Sequence, residues 1–108
     1  MEKTIDKEYE VIPRPEALSM LHEHADFLAQ VSLPAAERLE DMFYQKINSL
    51  SFWPERYRWL ENPAIPRHKY RRLPFEKNYM IVYRVTEDTV YIDFVLDARM
   101  DYARFLVP

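Results

Sequence analysis

Glycine and cysteine are both absent from the 108 residues of this chain. The lack of glycine excludes the phosphate-cradling loops of P-loop and dinucleotide proteins, which need backbone without a Cβ at close approach. The lack of cysteine excludes disulfides and Cys-based zinc sites, and makes the reducing cytoplasm the expected location. Long apolar runs are missing too. Met1 to Glu8 has no hydrophobic leader segment, and no stretch approaches the ~20 apolar residues of a membrane span. The expectation is a soluble, unexported protein with no membrane partner and no nucleotide cofactor.

What is present suits one globular domain over residues 1–108, with 1–8 as a loosely attached N-terminus. Apolar residues make up 48% of the chain, enough for a single core at this length. The net charge is -3, but it is unevenly spread. Residues 1–54 carry 5 Lys/Arg against 10 Asp/Glu, residues 55–84 carry 8 against 3, and residues 85–108 carry 2 against 5. The basic middle interleaves Arg56, Arg58, Arg67, Lys69, Arg71 and Arg72 with Tyr57, Trp59, His68 and Tyr70. That pattern suits contact with phosphate backbone or an acidic partner, and equally a solvated strand face. In an acidic chain such a contact must be local.

Periodicity gives the element order. Tyr9 to Ile12 reads as a short strand stopped by Pro13 and Pro15. Leu18, Leu21, Ala25 and Leu28 form one stripe of a helix from Pro15 to about Gln30. A second helix opens at Ser32-Leu33-Pro34, carries the stripe Ala36, Leu39, Phe43, Ile47 and Leu50, and ends at Pro54. The short link predicts an antiparallel helical hairpin. After a loop at 62–66, His68 to Phe75, Asn78 to Val85 and Thr89 to Leu96 are rich in β-branched and aromatic residues and read as strands. Thr86-Glu87-Asp88 suits a four-residue loop built on a type I turn. A short helix is expected from about Asp101. The fold class is α+β, β-α-α-β-β-β, with the helical hairpin packed on a small antiparallel sheet.

In this order, Ser49 to Tyr57, Arg71-Arg72-Leu73-Pro74-Phe75, Asn78 to Tyr83 and Val95-Leu96-Asp97-Ala98-Arg99-Met100-Asp101 resemble the RelE/ParE superfamily of bacterial toxins. The resemblance implies the toxin half of a type II toxin-antitoxin module, such as those that stabilise plasmids. It therefore implies a cognate antitoxin as partner in a hetero-oligomeric complex. It also implies one of two targets. RelE-like members enter the ribosome and cleave mRNA without metal, which needs a base, phosphate-neutralising cations and a proton donor. ParE-like members inhibit DNA gyrase by binding.

Catalytic candidates for the first mechanism are Lys69, Arg71 and Arg99. Arg67, His68, Arg72, Tyr102 and Arg104 are candidates for contact with the target or the antitoxin. Three positions depart from the nuclease pattern. Met80 stands where RelE-like nucleases often carry arginine, Asp97 where many members have histidine, and Phe105 near the expected place of a catalytic tyrosine. A carboxylate beside a phosphate repels it, so the sequence leans toward action by binding. The candidate cations are expected to converge at one end of the sheet, where acidic antitoxin residues would cover them. The quieter alternatives are that Arg99 pairs with Asp97 or Asp101, and that Lys69 and Arg71 lay their stems on apolar surface beside Leu73 and Phe75. His22 and His24 are about 200° apart on a helix, unlike an i, i+4 zinc pair, so no metal is expected.

Overall fold

A computed structural model describes residues 7–107. Strand β1 (Glu10–Pro13) leads into helices α1 (Pro15–Ala29) and α2 (Leu33–Asn48), followed by strands β2 (Arg71–Phe75), β3 (Tyr79–Val85) and β4 (Thr89–Asp97) and a single turn, α3 (Ala103–Leu106). Pro15 opens α1, where its missing N–H costs nothing. Ser32 caps α2 by accepting from the Ala35 N–H at 3.2 Å. The expected second helix is shortened. It ends at Asn48 and gives way to 3₁₀ turns at Ser49–Ser51 and Pro54–Arg56, because Pro54 removes a donor and restricts Trp53 before it.

The four strands lie in the order β1-β4-β3-β2. β2, β3 and β4 are antiparallel as expected, whereas β1 adds to β4 in parallel, so the sheet is mixed. The α1–α2 hairpin between β1 and β2 carries the chain across one face of the sheet, where α1 packs on β4 and α2 on β2. That face meets Ala17, Leu21, Ala25, Ala36, Leu39, Phe43 and Ile47 from the helices. The other face is covered by Leu60, Ile65 and Tyr70 from the long loop and by Leu106 from α3. With both faces covered, β3 and β4 are nearly continuous apolar runs, which is why the sequence shows no clean alternation there.

Two local features depart from expectation. The β2 strand starts at Arg71 rather than His68, because His68 sits in the left-handed region at φ 58°. Lys69 therefore lies in a turn and does not share a strand face with Arg71. In β4, Val82 faces Phe94 while Tyr83 faces Ile92, so Asp93 is the extra residue of a β-bulge. At the N-terminus, residues 1–6 of the segment expected to be loosely attached lie outside the described residues. Lys7 donates to the Glu87 carbonyl and Glu8 bridges Phe52.

The β3–β4 loop has four residues between the partners Val85 and Val90 and none at positive φ, in keeping with the expected turn. The β2–β3 turn instead places Glu76 at φ 48° and Lys77 at φ 71°. A side chain in that region costs ~1–2 kcal/mol, partly offset by the entropy a glycine loses on folding. Lys77→Gly should therefore raise the unfolding free energy by about 0.5–1 kcal/mol in a urea titration. A decrease would show that the Lys77 side chain holds the turn.

Candidate functional site

The basic segment folds back along the free edge of β2. Trp59 bridges Arg71, the Leu60 N–H donates to the Tyr70 carbonyl at 2.7 Å, and the Arg72 N–H donates to the Arg58 carbonyl at 3.0 Å. Arg71 fastens this edge. Its Nη1 donates to the carbonyls of Glu55 (3.1 Å) and Tyr57 (2.8 Å), and its guanidinium lies 3.7 Å over the Trp59 ring. His68 stacks on the same indole at 4.8 Å between centroids.

Tyr83, fully buried on β3, donates its hydroxyl to the Pro54 carbonyl at 2.7 Å, and burial pushes that hydroxyl far above the ordinary tyrosine pKa. Trp53 is held at φ 50° directly before Pro54, a strained combination for a bulky residue. Arg56 supports the turn by donating to the carbonyls of Phe52 (2.7 Å) and Trp53 (3.1 Å), which leaves both aromatic side chains about half exposed.

The other candidates divide among separate clefts. Arg72 and Tyr102 share one of about 350 Å³ with Arg58 and Met80 on the face away from the helices. Arg67 and His68 line one of about 420 Å³ formed by the 60–68 loop. Arg104 and Tyr102 border a largely apolar groove beside α1, with Phe94, Asp97 and Phe105. The exposed Lys69 extends its ammonium over the Tyr70 ring.

Arg99 stands apart from these. It lines a cleft with Arg38, Lys77 and Tyr79 at the β2–β3 turn. Arg71 pairs with Tyr83, and Asp97, which holds Arg99, pairs with Tyr79, so the anchor points of the two arginines are four residues apart on β3, roughly 13 Å at ~3.3 Å per residue. The expected convergence of the cations in one pocket is not realised, because β4 runs antiparallel to β3 and delivers its C-terminal end to the other end of the sheet.

Arg99 forks onto Asp97, with Nε at 3.0 Å from Oδ1 and Nη2 at 2.8 Å from Oδ2, while its backbone N–H donates to Oδ1 at 2.9 Å. This confirms the alternative of an Asp97 pair. The side-chain hydrogen bonds from Arg99 hold the Asp97 carboxyl below its ordinary value of 3.8 despite partial burial. A carboxylate with a depressed folded pKa contributes stability above its unfolded pKa and loses it as pH falls through the folded value. The loss thus falls below about pH 4. In an NMR titration of carboxyl carbons, Arg99→Gln should move the Asp97 midpoint upward; an unchanged midpoint would show that Arg99 does not set it.

Several residues that organise this end of the chain carry no signal in sequence. Asp93 is buried at the bulge, pairs with Arg84 through Nε and through Nη2 at 3.1 Å, and lies 3.6 Å from Arg14. His24 meets the Val95 carbonyl with Nε2 at 2.9 Å, on the side of β4 that β1 leaves unpaired beyond Ile92. His22 instead faces Glu40 on α2. Partners 9 to 79 residues away make these roles invisible to local pattern. Only Arg58, as part of the basic block, lay within reach.

A family model described as the ParE toxin of type II toxin-antitoxin system, parDE, matches residues 11–102. Among solved structures, the chain is similar to one titled the chromosomal ParDE TA system from P. aeruginosa, with a TM-score of 0.64 and 17% identity over 82% of this chain and 95% of that one. At that identity the likeness establishes the fold. No curated protein matches the chain in sequence.

Proposed function

Because the chain belongs to the ParE toxin family of type II toxin-antitoxin systems, we propose that it arrests growth by binding DNA gyrase and that a cognate antitoxin silences it. The observation that supports binding over cleavage is the condition of the cations. In-line attack on a phosphodiester requires a base, a charge-neutralising cation and a proton donor gathered on one phosphate. Arg71 is spent on two carbonyls and an indole, and Arg99 on Asp97 at another register position. Burial raises the Tyr79 and Tyr83 hydroxyls, which removes them further from proton transfer near neutrality. Met80 contributes an apolar side chain where a nuclease would place charge.

For the antitoxin, the apolar groove beside the C-terminal half of β4 offers a seat for an amphipathic segment, whereas His24 already occupies the Val95 carbonyl on that strand edge. Acidic residues in that segment would meet Arg104, while others meet the Lys69 and Arg71 edge.

The test places purified chain in a gyrase supercoiling reaction and, separately, in a translating ribosome system. Lost supercoiling with intact transcripts is the expected result. Transcript cuts at codon positions with normal supercoiling would replace gyrase with mRNA as the target, and no effect in either would make the chain a non-toxic interaction module.

A further inference from the structure

Arg58 and Arg72 face each other across the pairing that extends β2. The Trp59–Arg71 bridge and the 3.0 Å bond from the Arg72 N–H to the Arg58 carbonyl fix this register, on the face of the sheet opposite the helices. Side chains paired in this way leave the backbone about 5 Å apart, and like charges so placed repel. Among the described residues neither guanidinium has an ion pair, so nothing in the fold relieves that repulsion. A bound anion would.

Two clefts meet at the pair. One, about 350 Å³, runs toward Met80, Ala98 and Tyr102, and the other, about 280 Å³, toward Arg56, Tyr57 and Pro74. Arg56 on the second cleft, like Arg71, is committed to backbone carbonyls. Arg58 and Arg72 are therefore the two uncommitted guanidiniums where the clefts meet, with the exposed Glu61 as the carboxylate on this lining. A lone carboxylate occupies one arginine fork. Two forks side by side suit successive charges of a polymer with one negative charge per unit, and Tyr102 offers a ring beside them.

We propose that this edge binds the phosphodiester backbone of a nucleic acid, with Arg58 and Arg72 as the central clamp. The proposal goes beyond action on gyrase and stands or falls independently of it, since it concerns a direct contact between the chain and the polymer.

Fluorescence anisotropy with labelled 12-nucleotide DNA and RNA, from 50 to 200 mM salt, tests it. Purified chain should bind at low salt, and comparison of the two oligonucleotides identifies which polymer it prefers. Arg58→Gln with Arg72→Gln should weaken binding about tenfold or more and flatten the slope of log K against log salt by about two. Lysines at both positions should retain most of the slope. Arg58→Gln alone, at an exposed side chain, should remove about one from the slope and keeps the test valid if the double variant misfolds. Arg38→Gln, in another cleft, should change nothing. Absence of binding to either oligonucleotide at 50 mM salt, or binding indifferent to both glutamine variants, would overturn the proposal. So would displacement of the oligonucleotide by an equal concentration of a 12-residue glutamate peptide, which would assign the edge to an acidic protein.

Discussion

Replacing Arg84 with methionine is expected to lower the unfolding free energy by about 3 kcal/mol, the cost of leaving a buried carboxylate without its principal partner. Asp93 is 3% exposed and is the extra residue of the β4 bulge, so it cannot turn to water without undoing the register between Val82–Phe94 and Tyr83–Ile92. Its other cation, Arg14, lies at 3.6 Å and is nearly half exposed, which makes it a weak substitute and keeps the expected cost at the lower end of the range for broken buried pairs. In a domain of this size that loss corresponds to a fall in melting temperature of roughly 10–20 °C. Adding Asp93→Leu to the Arg84 variant should restore much of the loss, because the penalty lies in the unpaired charge rather than in the missing pair. Urea or thermal unfolding monitored by circular dichroism reads both. A change within about 0.5 kcal/mol for the single variant would mean that water already solvates Asp93.

The second large effect is expected at Phe43. This ring is fully buried on the inner face of α2, contacts Tyr44 edge-on and lies 6.4 Å from the Phe75 ring on β2. Phe43→Ala should cost about 3–5 kcal/mol, the sum of lost burial and the cavity left behind. Phe27, at the tip of the same helical hairpin, is 66% exposed. Phe27→Ser should leave stability within about 0.5 kcal/mol of the parent. Equal losses at the two positions would mean that the hairpin packs on the sheet by a different face.

The contrast between these residues also marks what could be read from sequence. Phe43 was legible because Ala36, Leu39, Phe43, Ile47 and Leu50 recur at helical spacing and all five are buried. The three antiparallel strands were legible from their β-branched and aromatic runs, and their order followed from short loops. Asp93 was not. In a strand run, one aspartate between Ile92 and Phe94 reads as an outward polar position, and only the bulge and two arginines from other strands and loops explain its burial. The parallel addition of β1 was equally hidden, since four residues carry no mark of strand direction.

Among the site residues, Arg71 and Arg72 are adjacent in sequence but serve opposite faces, one fastening the edge to Trp59 and the other opening onto a cleft with Arg58. Charge content located the basic edge. It could not reveal that Arg71 and Arg99 are already occupied, because their acceptors are backbone carbonyls 14 and 16 residues away in one case and a carboxylate from the same strand end in the other. The left-handed residues Trp53, His68, Glu76 and Lys77 were likewise hidden, because a chain without glycine gives no marker for positive φ.

The distinction between action by binding and action by turnover is decided most directly by stoichiometry. With gyrase held at a fixed concentration and purified chain titrated into a supercoiling reaction, inhibition should grow with each addition and end when the chain is comparable to the enzyme in amount. Transcripts in a parallel translation reaction should remain whole throughout. Transcripts cut by chain present far below the ribosome concentration, with supercoiling untouched, would contradict it.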